Sequence, residues 1–389
     1  MLNKFIENAG WPRIIIGLFL FSLFLAAPFV NVRVDKSLSD TLVRVGMNGV
    51  LVLAMVPMVQ SGCGLNFGLP LGVISGLLGA TTSIQIATAT NEISALMSAP
   101  SAEAAEKLAA INPSGVTLFL ANLLNSMPPA SKAMTLFSFA LIIAIPIAAV
   151  LGFFYAQILN RVKGEEMMIA TYVGFSSVAL MCMAWLLLPF NSPVMIWGYG
   201  GSGLRTTISA DGFWRHVLSD FASIGSEQGS FYFPTGMFLF FFLMIAVVWA
   251  FFRTKTGTAI TAVGSNPEFA RASGIDVNKM RTISVMFSTI LGAIGILVYE
   301  QSFGFIQLYM GPLYMAFPAV AAILLGGASV NKASMVNVLV GTFLFQGILT
   351  MTPSVINSLL QSDMSEVIRI IVSNGMILYA LTRKAQVKR

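Results

Sequence analysis

Tyr232-Phe-Pro-Thr-Gly-Met-Phe-Leu-Phe-Phe-Phe-Leu-Met-Ile-Ala-Val-Val-Trp-Ala-Phe-Phe252 is followed at once by Arg253. These 21 residues carry no Asp, Glu, Lys or Arg. The hydrocarbon core of a bilayer is roughly 30 Å thick and takes about 20 apolar residues in helical form. Without water to solvate its N–H and C=O groups, such a run satisfies its own backbone only as a helix or within a closed barrel. The stretch therefore reads as a membrane-spanning helix stopped by a basic residue.

Working outward, the same pattern recurs at 12–32, 41–60, 70–88, 134–156, 167–190, 282–303, 313–328, 334–351 and 367–381, making ten candidate spans with 232–252. Only 10% of the 389 residues are charged and 56% are apolar, against about 25% charge in a soluble domain. That excludes a water-soluble globular protein. The expectation is one all-α polytopic membrane domain over 1–389, with about ten transmembrane helices. Lys4 and the apolar stretch ending near Ala26 and Ala27 have the order of a secretory signal. The stretch exceeds the usual 7 to 15 residues (roughly) of a signal core, so a retained helix is expected.

Charge then orients the spans. One side collects fourteen Lys and Arg against five acids, the other seven against ten. By the positive-inside rule both termini are expected in the cytoplasm. Segments 89–133 and 191–231 become outer loops, with Trp197, Tyr199, Trp214 and Tyr232 as headgroup anchors. Within 89–133, residues 101–108 read as a helix, and 115–126 is too short to span and suits the interface. The bases are not clustered with aromatics on a soluble module, so no nucleic-acid partner is implied. Cys63 and Cys182 belong to no Cys-x-x-Cys or Cys/His cluster, and His216 is the only histidine. No metal site and no catalytic residue is therefore expected.

Segment 253–281 is the informative polar stretch. Ser265 or Asn266 can cap a helix, Pro267 suits its first turn, Glu268 complements its positive end, and Gly274 stops it. Asp276 can cap the next helix, which enters the membrane after Arg281. A helix of about two turns is marginal alone in water, so it is held against something. Phe269, Ala270 and Ala272 offer a small apolar plug for a cytoplasmic partner; an ordinary interfacial loop helix fits the same residues equally well.

The segment resembles the signature of permease subunits of bacterial ABC importers for simple sugars, related to those for nucleosides and branched-chain amino acids. Thr254-Lys255 and Gly257, then Ala262-Val263-Gly264-Ser265-Asn266, then Ala270 and Ser273-Gly274-Ile275 occupy the family's places. Thr256 replaces the usual aromatic and Phe269 the first Ala of an Ala-Ala pair. The resemblance implies that Asn266, Pro267, Glu268, Phe269, Arg271 and Gly274 dock an ATP-binding subunit. It also implies a second permease copy or paralogue, an extracytoplasmic solute-binding protein, surrounding membrane lipid, and a place in the bacterial inner membrane. ATP and Mg would sit on the partner ATPase; this chain contains no Gly-Lys dipeptide and so no Walker A loop.

Gly62-Cys63-Gly64-Leu65-Asn66-Phe67-Gly68 is a second similar element, with Gly64 and Asn66 where sugar permeases usually carry Asp and Ser. Its glycines break a helix, and unwound backbone of this kind lines cavities. Asn66, Phe67 and Gly68 are thus expected on the substrate pathway, and a flexible turn between spans is the alternative. A third element, Phe317-Pro318-Ala-Val-Ala-Ala-Ile-Leu-Leu-Gly326-Gly327-Ala328-Ser329, places Gly326 and Gly327 there as well.

Glu300, about 28 Å along its helix from Arg281, is expected near the outer interface and not at the midplane. Tyr299, Gln301, Gln307, Tyr309 and Tyr314 form a polar, aromatic neighbourhood around the outer mouth. Arg369 is expected to pair with Asp363 or Glu366. The functional expectation is an importer permease for a small neutral solute such as a simple sugar or nucleoside. The rivals are an ion-gradient-driven secondary transporter, which needs ionisable groups at midplane, and a membrane-embedded lipid-modifying enzyme, which needs a carboxylate, His or metal constellation.

Overall fold

The computed structural model describes residues 11–99, 101–111, 113–162, 164–197, 203–225, 231–360 and 364–386. Apolar runs become helices because a chain shielded from water must close its hydrogen bonds internally. In order they are α1 (Trp11–Ala26), α2 (Val34–Leu53), α3 (Met55–Gln60), α4 (Leu69–Ser98), α5 (Ala102–Ile111), α6 (Gly115–Ser126), α7 (Pro129–Arg161) and α8 (Glu166–Leu187). After the second long loop come α9 (Thr235–Arg253), α10 (Lys255–Ser265), α11 (Pro267–Ala272), α12 (Val277–Phe303), α13 (Gly311–Leu325), α14 (Met335–Leu360) and α15 (Ser365–Gln386).

Every expected run falls on a helix, and among the described residues eight helices are long and apolar enough to cross a membrane. The other two runs differ for plain reasons. α13 has 15 residues, about 22 Å of rise, and α15 includes Glu366, Arg369, Arg383 and Lys384. Of the 89–133 segment expected as a loop, residues 89–98 prolong α4, since nothing before Ala99 breaks a helix. The rest is mostly α5, α6 and the start of α7.

The centre of the bundle is α12, packed against α2, α4 and α7. Small residues allow the approach: a Cβ at Gly72 would lie 2.5 Å from the Thr289 carbonyl oxygen, and one at Gly76 would lie 2.6 Å from that of Ala293.

The two ends of the bundle differ. At one, called the basic end here, Arg13 donates to the Gly327 carbonyl at 2.9 Å and Asn160 to Thr282 Oγ1 at 2.9 Å, next to α10 and α11. At the far end β1 (Thr207–Ser209) pairs antiparallel with Phe305–Gln307, and β2 (Ile224–Gly225) with β3 (Tyr232–Phe233); Phe305–Gln307 is β4. The His216 amide donates to the Gln301 carbonyl at 2.8 Å and that of Ala210 to the Gly304 carbonyl at 3.0 Å, so the 205–218 loop folds back onto the end of α12. This corrects one expected anchor: Trp214 is fully buried beneath that loop. Trp197 is 49% exposed, Tyr232 donates its hydroxyl to the Ser219 carbonyl, and Tyr199 lies outside the described residues.

Candidate functional site

At the basic end each short helix has a built start. The Thr254 hydroxyl accepts from the Gly257 amide at 3.2 Å, Asn266 Oδ1 from the Phe269 amide at 3.0 Å, and Asp276 Oδ1 from the Lys279 amide at 3.0 Å. Each satisfies a donor the first turn leaves free. Of the two expected caps, Asn266 is the one used. Gly274 ends the unit in a left-handed conformation, φ +79°, while the Ile275 amide closes on the Ala270 carbonyl at 3.0 Å. Glu268 and Arg271 approach to 3.8 Å on the exposed side.

Phe269 stands 69% exposed, whereas Ala270 turns inward onto Val263 and Val277. The expected three-residue plug is therefore corrected to Phe269 flanked by exposed Ala272; Ala270 is the foot that holds the helix down. Behind it, a Cβ on Gly264 would collide with the Gln60 carbonyl and lie 3.0 Å from the Gly62 nitrogen. α10 thus rests backbone to backbone on the helix break that follows α3.

That break holds Gly62 (φ +76°) and Gly64 (φ +82°) in conformations that favour glycine. Asn66 beyond it is fully buried. Its Nδ2 donates to Ser288 Oγ at 2.8 Å, its Oδ1 accepts from the Tyr155 hydroxyl at 3.3 Å, and Ser288 donates on to the Ala54 carbonyl at 2.5 Å. The amide joins the segment after the break to α7 and α12. Its neighbour Phe67 faces the other way, 5.8 Å from the Phe317 ring, which lies 6.2 Å from Phe175. With Thr171, Gly174 and Leu313 these rings line a cleft of about 10 Å³, room for one water.

Phe67 and Phe317 are thus brought together from two separate sequence elements. Gly68 packs against the Tyr155 ring, and Gly326 and Gly327 lie at the basic end against Asn337 and Arg13, away from the cleft. Two contributions are not visible in the sequence reading. One is α8, whose Thr171, Gly174, Ser176 and Ser177 interrupt a largely apolar helix. The other is the ion pair between Arg281 and Glu166, 2.9 Å apart with side chains 11% and 12% exposed. It clasps the starts of α12 and α8 beside buried Cys63.

At the far end Glu300 is buried three residues before α12 ends, its carboxyl facing the Gln307 backbone. Gln301 accepts from the Leu218 amide at 3.1 Å, Tyr309 donates to the Leu204 carbonyl, and Tyr299 stacks on Phe303 at 5.5 Å. Gln301 and Tyr309 are therefore spent on loop structure, while Tyr314 is 58% exposed. Arg369 pairs with Glu366; Asp363 lies outside the described residues.

A bundle of membrane-crossing helices, with a capped helix on its basic end seated on a break inside the bundle, has the build of a transport permease. The chain belongs to the family described as branched-chain amino acid transport system / permease component, whose sequence profile matches residues 37–381. Over 186 residues it is 27% identical to the autoinducer 2 import system permease protein LsrC of Enterobacter sp. (strain 638), covering 47% of this chain and 49% of that protein. Over 94 residues it is 31% identical to the nucleoside ABC transporter permease protein NupC of Lactococcus lactis subsp. cremoris (strain MG1363), covering 23% and 29% respectively. The chain spans about half the length of the first relative and less of the second. No solved structure matches it. It is a multi-pass protein of the bacterial inner membrane.

Proposed function

We propose that this chain is the translocation subunit of an ATP-driven importer for a small neutral solute, such as a simple sugar or a nucleoside. The observation that carries this is Phe269, held 69% exposed on a helix whose inner side is fixed through Ala270 and Gly264 to the bundle. An exposed aromatic on a braced helix suits insertion into a groove of a second protein. The excess of Lys and Arg on the same side supports a cytoplasmic position for this end and for both chain ends.

In this reading the Asn266, Pro267, Glu268, Phe269, Arg271 and Gly274 unit receives the ATP-binding subunit, where ATP and Mg are held. Hydrolysis belongs to that subunit. A second permease copy or paralogue completes the pathway, and a loaded extracytoplasmic binding protein docks on the far end. Movement of α11 is passed through Gly264 to the break at 61–68 and through Asp276 to α12, tilting the helices around the Phe67, Phe175 and Phe317 cleft.

Reconstitution in proteoliposomes tests the proposal. Uptake should require ATP and the ATPase, and Phe269→Ala should weaken ATPase binding while the permease remains folded. Uptake by this chain alone, driven by a proton or sodium gradient, would refute it.

A further inference from the structure

The lipid-facing sides of the outer helices are not chemically alike. On α9 the exposed positions around mid-helix are Leu239, Phe242, Leu243 and Val247, all hydrocarbon. On α15 the exposed stripe of Val367, Ile371 and Leu378 is interrupted by Asn374, also exposed, and by Gly375, which has open space where a side chain would stand. Asn374 is the tenth of 22 residues in its helix, about 14 Å from its start, and its amide makes no hydrogen bond to any described residue.

α8 shows the same departure. Ser176, the eleventh of 22 residues, is exposed with its hydroxyl bonded to no described residue, and Tyr172 is 62% exposed one turn away. These helices are not scattered around the bundle: both pack on α13, and α13 itself presents Tyr314.

An amide facing hydrocarbon is costly when nothing pairs with it, and polar groups at this depth face a partner or water. Serine on a helix can bond its own backbone, as Ser22 does to the Phe19 carbonyl at 2.7 Å; an asparagine amide carries two donors and an acceptor and needs more. We propose that the α8, α13 and α15 face is the wet wall of the solute pathway, and that Asn374 and Ser176 exchange hydrogen bonds with the passing solute at mid-depth. Glu366 and Arg369 pair with each other at the start of α15, whereas the exposed described residues around Asn374 and Ser176 are uncharged and include aromatic rings, which fits a neutral hydroxylated or heterocyclic solute. This rests on the permease reading and relocates solute contact from Asn66, whose amide is occupied within the bundle.

The test is thiol accessibility in the purified complex with its ATPase, held in lipid nanodiscs so that both faces meet the reagent. With Cys63 and Cys182 replaced by serine, Asn374→Cys and Ser176→Cys should react with a charged, membrane-impermeant maleimide at least tenfold faster than Leu243→Cys. Equal rates would overturn the proposal. So would oxidative cross-linking of Asn374→Cys between two copies with no maleimide reaction, the mark of a dry contact. Asn374→Leu, which suits a lipid-facing position, should insert normally yet reduce uptake about tenfold, with Asn374→Gln recovering most of it; full uptake by the leucine variant counts against solute contact. ATP-driven uptake by the unaltered complex tests the importer reading separately, and the labelling contrast stands or falls without it.

Discussion

Replacing Glu166 by Gln would leave the Arg281 guanidinium in place without its counter-charge. At 2.9 Å and an effective dielectric near 20, the pair's Coulomb attraction is about 6 kcal/mol. Removing both ions from water takes back most of that, so the intact pair adds little net stability, while breaking it costs about 3 kcal/mol or more. Among the described residues Arg281 Nε has no partner even with the pair intact. The loss should be felt as local opening where α8 and α12 begin, and Cys63, 2% exposed there, is a built-in reporter. In a Cys182→Ser background, about 3 kcal/mol corresponds to roughly 100-fold faster modification of Cys63 by a small thiol reagent. Glu166→Leu combined with Arg281→Met should return the rate to within about tenfold of the parent, because an apolar pair leaves no buried charge. An unchanged rate in Glu166→Gln, or additive effects in the double variant, would show that the two charges are not coupled.

Gly264→Ala places a methyl against the Gln60 carbonyl; an overpacking cost of about 1 to 3 kcal/mol should appear as lower thermal stability and reduced uptake. Asn266→Ala removes the cap of α11 at a cost of about 1 kcal/mol, so ATPase binding should weaken, whereas Asn266→Ser or Asn266→Asp should preserve it. Arg215 and Ser209 hold the Asp211 carboxyl below the usual carboxylate range. The contact's contribution is present above the ordinary carboxylate range and is lost as pH falls through the depressed value, so amide exchange in the 205–218 loop should rise below about pH 4, and Asp211→Asn should abolish that rise.

The spans were legible because a bilayer imposes one condition, continuous apolar length, and runs such as 232–252 meet it visibly. Caps were legible too, since Asn266 and Asp276 act on amides three residues away. What was not legible depends on chain segments distant in sequence. Asn66 reads as an unattached amide beside a glycine break until Ser288 and Tyr155 are brought to it. Glu166 and Arg281 count in a tally of charges by side, which is blind to which charge meets which. Trp214 looks like a headgroup anchor in a polar loop, and only the hydrogen bonds of that loop to the end of α12 put its ring inside. Thr171 and Ser176 did not stand out because a few hydroxyls within a largely apolar run have no meaning until the face they occupy is known.

One helix touches both surfaces of the molecule. α12 runs for 27 residues, about 40 Å; its Asp276 cap receives the end of α11, while Gln301 and Gly304 hold the far-end loop and the β1 to β4 pairing. The two surfaces therefore share a single shaft. A partner leaning on one side and a partner leaning on the other push on the same rigid rod, and neither can settle without the other sensing the angle at which it stands.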